Sequence, residues 1–305
     1  MSLRPILLAI VGDSAAGKST LGAGISALLG DARVTVVTTD DYHKHNRKAR
    51  RELRLSALHP DCNDLDLLGD HLEQLANGRA VQKAPYNHAT GDFDASRTVA
   101  PSEFLIVEGL LGLHTASLRA RYDVTVYLDT PEPLRLRWKV ARDTAKRGYS
   151  ENQVREMLER RESVSEAFIR PQRDHADMVV RFHGGSAHTD YERLHATVTM
   201  RPTLDQPDLR AVIDSCRSAA SAMRLASDGE SEVLEIDGAI SAEQAAEVER
   251  ELWSRSPELE RLLMARTGNF IENGSVRHSH ALALAQLLLT YPVLRAKLAK
   301  ERVSR

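Results

Sequence analysis

The sequence predicts an α/β fold: a mostly parallel sheet flanked by helices over residues 1–185, followed by a smaller α+β extension over 186–305. Three observations carry this expectation. A short apolar run leads into the glycine-rich segment Gly12-Asp13-Ser14-Ala15-Ala16-Gly17-Lys18-Ser19, and an amphipathic stretch follows it. Strand-like and helix-like segments then alternate for about 180 residues, the pattern of a parallel sheet covered by helices. Past Gly184-Gly185-Ser186 that alternation stops and the texture changes.

Taken in order, Ile6 to Val11 (ILLAIV) is a continuous apolar run of strand length. After the glycine-rich segment, Leu21, Ile25, Leu28 and Leu29 fall at helical spacing. Val34–Thr39 is β-branched and predicts a second strand, and the charged section from Asp40 to about Asp64 predicts loop with short helical pieces. Leu65–Asn77 predicts a helix that stops at Gly78, and residues 85–94 form a loop rich in Pro, Tyr, Asn, His and Gly. Phe104–Val107 and Val124–Leu128 predict strands; Pro131–Arg147 and Ser150–Phe168 predict charged helices separated by Gly148; Asp177–Phe182 predicts another strand. In the extension, Thr197–Met200 and Val233–Ile236 predict strands, Asp228-Gly229-Glu230-Ser231 an exposed loop, and three helical stretches follow Ser241. The last, His280–Lys297, is apolar enough to expect packing on a core or a partner subunit.

The segment Gly12–Ser19 fits G-x-x-x-x-G-K-[ST] in the strand–loop–helix context that this pattern requires, which makes the fold P-loop NTPase-type. Backbone amides from Gly12 through Thr20 are expected to wrap phosphate oxygens, including those of Asp13, Ser14, Ala15, Ala16 and Gly17. Lys18 would neutralise the outer phosphates and Ser19 would ligate Mg²⁺. A nucleoside triphosphate and Mg²⁺ are therefore the expected cofactors.

Composition excludes several other classes. With 42% hydrophobic and 28% charged residues the chain is of ordinary globular type, and a net charge of −2 supplies no global field for nucleic acid. Two cysteines, Cys62 and Cys216, cannot form a disulfide framework and suit a reducing compartment. The N-terminal apolar run is too short to span a membrane and lacks a signal-peptide cleavage region, so a cytoplasmic location without membrane partners is expected. His278-Ser279-His280 has no acidic or cysteine partner at zinc-like spacing.

Asp40 follows the second strand, where ligands gather outside the carboxyl ends of an open α/β sheet. An aspartate there is either a turn or cap residue or the base that phosphoryl transfer needs for its acceptor hydroxyl. Glu108 ends the strand Phe104–Val107, the usual place for an acidic group associated with Mg²⁺. Lys139, Arg142, Asp143 and Arg147 share one helix face. A solvated charged face is the ordinary reading of that spacing, but arginines also grip phosphates bidentately, and an acceptor that is itself a phosphate ester would need such a cluster. Arg160 and Arg161 lie one helix later and could serve either substrate. Tyr86-Asn87-His88 precedes Gly91 in the polar loop.

Together the segments GDSAAGKST (12–20), DDYHKHNR (40–47), NDLDLL (63–68), PYNHATG (85–91), VEGLLGLH (107–114), YLD (127–129), KVARDTAKRG (139–148) and RPQRDHADMVV (170–180) resemble the phosphoribulokinase/uridine kinase family, in order over residues 6–182. RTGNFIENG (266–274) and ALALAQLLLTYPVLRA (281–296) resemble more loosely the extension of its plant and cyanobacterial members. The D-D-Y-H…N-R segment, the Y-N-H loop and the K-x-x-R-D-x-x-x-R helix favour the sugar-phosphate branch over the uridine branch. The resemblance implies transfer of the γ-phosphoryl of ATP to the C1 hydroxyl of ribulose 5-phosphate, the step of the Calvin cycle that gives ribulose 1,5-bisphosphate. It implies Asp40 as the base, Glu108 as the Mg²⁺-associated acid, and Asp143 as an acidic residue associated with catalysis. His43, Arg47, Tyr86, His88, Lys139, Arg142 and Arg147 match positions associated with substrate or phosphate contacts. A homo-oligomer, first of all a dimer, is expected. Where the plant members keep two regulatory cysteines, this chain has Ala16 and Thr38, so no thiol switch is expected there. A uridine kinase, another sugar or sugar-phosphate kinase, and an ATP-binding regulatory protein without turnover stay open as alternatives.

Overall fold

The computed structural model describes residues 4–184, 193–255, 262, 267–272 and 274–303, apart from the side chain of Lys146. Gly185 and Ser186 of the expected junction, and Arg266 and Asn273 of the 266–274 segment, lie outside the described residues.

Strand β1 (Ile6–Gly12) is buried along its whole length, as its unbroken apolar run requires. It ends at Gly12, where an added Cβ would lie 2.7 Å from the Leu128 carbonyl oxygen. Helix α1 (Lys18–Leu29) starts at the motif lysine, and β2 (Val34–Thr38) stops one residue before the expected Thr39 because the chain turns into a 3₁₀ segment, Thr39–Tyr42. The polar section holds α2 (Arg47–Glu52), capped by the Asn46 side chain, and a 3₁₀ turn, Pro60–Cys62. Helix α3 (Leu65–Ala76) is capped by Asp64 and ends before Gly78, whose φ is +76°. Four short strands that periodicity does not reveal follow: β3 (Val81–Lys83), β4 (Tyr86–Asn87), β5 (Asp92–Phe93) and β6 (Arg97–Val99), with β3 paired to β6 and β4 to β5.

Strand β7 (Phe104–Gly109) runs two residues past the expected Val107 and so carries Glu108 within it. After α4 (Ala116–Arg119) and β8 (Val124–Leu128) comes α5 (Glu132–Arg147). The single helix expected over Ser150–Phe168 is instead α6 (Glu151–Glu159), closed at its start by a Ser150/Gln153 capping box, then α7 (Glu162–Val164) and a π-turn, Ser165–Ile169. That widened turn buries Ser165 and Ile169. The chain continues through β9 (Met178–His183), β10 (His195–Met200), α8 (Leu209–Ser215), β11 (Met223–Asp228), β12 (Ser231–Ile236), α9 (Ala242–Arg255), the hairpin β13 (Asn269–Glu272) and β14 (Ser275–His278), and α10 (His280–Val303). Among the described residues two helices, α9 and α10, follow Ser241 where three were expected.

The chain forms two compact units. The first comprises Met1–Lys18, Val34–Leu128 and Glu132–Ala176. Its parallel strands run β8-β1-β7-β2, with Ile10 beside Glu108 and Glu108 beside Thr38. Leu7, Val37, Leu105 and Val107 of these strands pack on Leu68, Leu72 and Leu75 of α3 and on Tyr42. The second unit comprises Ser19–Arg33, Asp129–Pro131 and Asp177–Arg305, and its strands run antiparallel as β11-β12-β10-β9. Helix α10 packs on α9 and β10 in this unit. It is long and apolar enough to cross a membrane by composition, but 72% of its most apolar window is buried in the protein.

Candidate active site

The motif loop closes on itself through backbone geometry. Ala15 and Gly17 take φ of +65° and +99°, and Gly17 passes the Trp138 ring closely enough that a Cβ would lie 3.5 Å away. Lys18 Nζ donates to the carbonyls of Gly12 (2.9 Å) and Asp13 (2.8 Å). Burial lowers its pKa, opposed by the carboxylates of Asp40, Asp13 and Glu108. Ser19 and Thr20 fall in the first turn of α1, and Ser19 is exposed. Asp13, expected among the phosphate contacts, has its carboxylate committed to the loop itself. One oxygen accepts from Ser14 N (2.8 Å) and faces Arg135 Nη1 (3.2 Å), and the other accepts from the Ser165 hydroxyl.

Asp40 and Asp41 are neighbours with opposite roles. Thr39 Oγ1 accepts from Leu110 N at 3.2 Å, an approach that Gly109 alone permits, since a Cβ there would fall 1.7 Å from that oxygen. This anchor turns Asp40 to the carboxyl end of the parallel strands, where His88 Nε2 lies 3.2 Å from its Oδ2. Burial would raise the Asp40 pKa, but the His88 hydrogen bond and the charges of His43, His88 and Lys18 outweigh it and hold the carboxyl well below its ordinary range. The Asp41 carboxylate pairs with Lys83 Nζ and accepts from Tyr86 N at 2.8 Å, with side chains only 9% and 4% exposed at Asp41 and Lys83. It suspends the β4–β5 hairpin from the 3₁₀ turn.

That hairpin carries the expected loop residues into place. Arg47 N donates to Gly91 O (2.7 Å) and its guanidinium to His88 O; Gly91, at φ +77°, is the residue that lets Arg47 come so close. His43 is buried, bonded through Nδ1 to Asn63 Oδ1 at 2.8 Å, and stands edge-on to Tyr86. Burial lowers its pKa. Arg50, which sequence reasoning missed, is 9% exposed and donates to Tyr86 Oη (2.6 Å) and His45 O (2.8 Å), with its guanidinium 5.0 Å from the Tyr86 ring centroid.

On α5 the shared face is buried at Lys139 and Asp143 and only partly solvated at Arg142 and Arg147, which are 32% and 22% exposed. Lys139 and Asp143 are each 1% exposed and 3.1 Å apart, while Arg142 Nε (2.8 Å) and Arg147 Nη1 (3.5 Å) converge on the same carboxylate. Three cations thus share one anion, and Arg142 Nη2 is buried with no hydrogen-bond partner among the described residues. Burial takes the Lys139 ammonium down to about 8, with Asp143 opposing and Arg142 and Arg161 reinforcing the shift. Lys139 Nζ also reaches Ser14 Oγ at 3.3 Å. Arg147 is within electrostatic reach of Asp40 and Arg47, and Arg161 of Asp143 and Asp40. A narrow crevice next to Ser14 is lined by Lys139 and Arg161. Arg160 instead points outward to Glu156.

Gln172, also missed from sequence, is buried and fixes the segment after Glu108 by donating to Leu110 O (2.7 Å) and accepting from Leu113 N (2.8 Å). No sequence signal marks Arg50, Arg135 or Gln172 as site supports, since each acts through residues distant in the chain. Among the described residues no group of three His, Cys, Asp or Glu side chains forms a metal cluster.

The sequence profile of the phosphoribulokinase / uridine kinase family matches residues 7–187. A phosphoribulokinase of Synechocystis is 35% identical over 178 residues, covering 58% of this chain and 54% of that protein. The chloroplastic phosphoribulokinase of Arabidopsis thaliana is 34% identical, with 57% and 49% covered. A uridine kinase of Clostridium perfringens is 30% identical, with 58% and 87% covered. The chain therefore spans about half the length of the phosphoribulokinases that it matches. The solved phosphoribulokinase of Rhodobacter spheroides has the same fold at a TM-score of 0.59 and 18% identity, over 82% of this chain and 99% of that one. On the match to residues 7–187, more than half its length, this chain belongs to the phosphoribulokinase/uridine kinase family.

Proposed function

We propose that the protein is a kinase that transfers the γ-phosphoryl of ATP to the C1 hydroxyl of D-ribulose 5-phosphate, giving ribulose 1,5-bisphosphate and ADP. The observation that carries the reading is an ionised Asp40 held by His88 at the strand ends, close enough to Lys18 for each to shift the other, beside cations in excess of their carboxylate.

In this mechanism the motif amides and Lys18 hold the triphosphate. Asp40 accepts the proton of the C1 hydroxyl as its oxygen bonds to the γ-phosphorus, and the bond to the ADP oxygen breaks. A weakly basic carboxylate suits a loose transition state, because the hydroxyl becomes strongly acidic only once bonding to phosphorus is under way. Arg142 and Arg147, with Lys139 behind them, receive the 5-phosphate, and His43, Arg47, Tyr86 and His88 shape the sugar pocket. Asp143 acts by gathering those cations.

The carboxylate available for Mg²⁺ is that of Glu108, a hard ligand near Lys18, together with the Ser19 hydroxyl that the motif assigns. Bound there, the ion would neutralise charge on the β- and γ-phosphates.

A nucleoside acceptor would leave the surplus positive charge on α5 facing no anion, and a nucleotide-dependent regulator would need neither Asp40 nor that charge. The test is a coupled ADP-release assay with ribulose 5-phosphate, uridine and unphosphorylated ribulose. Rapid turnover of the first and negligible turnover of the others is expected, and faster turnover of uridine would overturn the reading.

A further inference from the structure

Gln286 lies in the middle of α10, is completely buried, and engages both ends of its amide. Its Oε1 accepts from Gly268 N at 2.7 Å, at the root of the β13–β14 hairpin, and its Nε2 donates to Thr20 O at 3.1 Å, in the first turn of α1. The backbone around Gly268 is itself fixed: φ is +74°, and its carbonyl accepts from Ser279 N at 2.8 Å. Gly24, one turn along α1, supplies the space; a Cβ on it would fall 2.0 Å from Gln286 Nε2, inside any tolerable contact. A glycine in a helix interior is unfavourable relative to alanine. A glycine against a buried amide, on the helix that begins at the motif lysine, is therefore explained by the amide.

We infer that Gln286 is a positioning residue for nucleotide binding: the extension holds the first turn of α1, and with it the phosphate-binding amides that precede Thr20. The helix must present its N-terminal N–H groups at fixed places to receive phosphate oxygens. Thr20 sits two residues after Lys18, so a bond to its carbonyl restrains the turn that carries Lys18 and Ser19. This inference rests on the proposed ATP site but not on the identity of the phosphoryl acceptor.

The test is calorimetric titration of the full chain with ATP and Mg²⁺ in the absence of any acceptor. Gln286→Met keeps the length and volume of the side chain and removes both hydrogen bonds. About tenfold weaker ATP binding is expected, the size of one lost hydrogen bond, in protein that circular dichroism shows to be folded. Gly24→Ala should weaken ATP to a similar degree by displacing the amide. In a Gln286→Ala background, where the space is vacant, adding Gly24→Ala should cause no further loss. A merely structural glutamine would lower the melting temperature of these variants but leave the ATP affinity of the folded protein unchanged. That result, or losses from Gly24→Ala and Gln286→Ala that simply multiply, would overturn the inference. If Gln286→Met does not fold, the Gly24→Ala comparison in the two backgrounds decides alone. Failure of the wild-type chain to bind ATP would instead remove the proposed function itself.

Discussion

Replacing Asp40 and Asp41 one at a time by asparagine should damage the protein in two separable ways. Asp41 forms a pair with Lys83 in which neither side chain is more than 9% exposed, and it also accepts from Tyr86 N. Removing one charge of a buried pair costs about 3–5 kcal/mol because the other is left uncompensated. Asparagine still offers an acceptor to Lys83 and Tyr86, so the lower end, about 3 kcal/mol, applies. At roughly 2–4 °C per kcal/mol for a chain of this size, the melting temperature should fall by about 6–12 °C. Asp40 is 23% exposed and its His88 partner 38%, so solvent screens part of the stabilisation that its lowered carboxyl implies, and Asp40→Asn should lower the melting temperature by less than Asp41→Asn does. It should lower kcat by about 10²–10⁴-fold, the range for loss of a general base, with ATP binding intact. Thermal denaturation and steady-state kinetics on both variants check this. Comparable kcat losses with equal melting temperatures would refute the division of roles, and a nearly active Asp40→Asn enzyme would refute Asp40 as the base.

The remaining predictions concern charge, backbone and thiols. Activity should show an alkaline limb near pH 8, where Lys139 loses its proton in the folded protein. Because the unfolded lysine keeps that proton to higher pH, stability should rise, not fall, across the same interval. Lys139→Arg should move the limb upward, and an unmoved limb would exclude Lys139 as its source. Arg142→Ala should raise KM for the sugar phosphate and spare KM for ATP; the reverse split would place the α5 cations on the nucleotide. Gly91→Ala should also raise the sugar KM, since its Cβ would lie 2.7 Å from Arg47 and the backbone there has φ of +77°. Cys62 and Cys216 are both buried, and burial raises both thiols, so kcat should be the same after oxidised or reduced dithiothreitol. Reversible oxidative loss abolished by either Cys→Ser change would show a switch.

Features written in local sequence were legible. The strand–loop–helix around Lys18, the aspartate after β2 and the glutamate at the end of β7 each follow from residues adjacent in the chain, and the parallel register of β1, β7 and β2 brings them to one edge. Strands of two or three residues, such as β3 to β6, are too short to show a period of two. The break between α6 and the π-turn was hidden because residues 151–168 keep a charged, helix-favouring composition through it. Spacing placed Lys139, Arg142 and Arg147 on one face but could not tell whether that face meets water. It is buried around Asp143. Supports such as Arg50, Arg135, Gln172 and Gln286 each reach at least one partner 36 or more residues away, and their side chains look like surface residues until those contacts are formed.

The most direct measurement is the fate of the transferred phosphoryl group. Phosphorus NMR of a reaction with ATP, Mg²⁺ and ribulose 5-phosphate labelled with ¹³C at C1 should show a new phosphomonoester signal split by coupling to that carbon, growing as ADP appears, and absent with Asp40→Asn. ADP formation with only inorganic phosphate, or a newly formed phosphate ester on a carbon other than C1, would contradict the account.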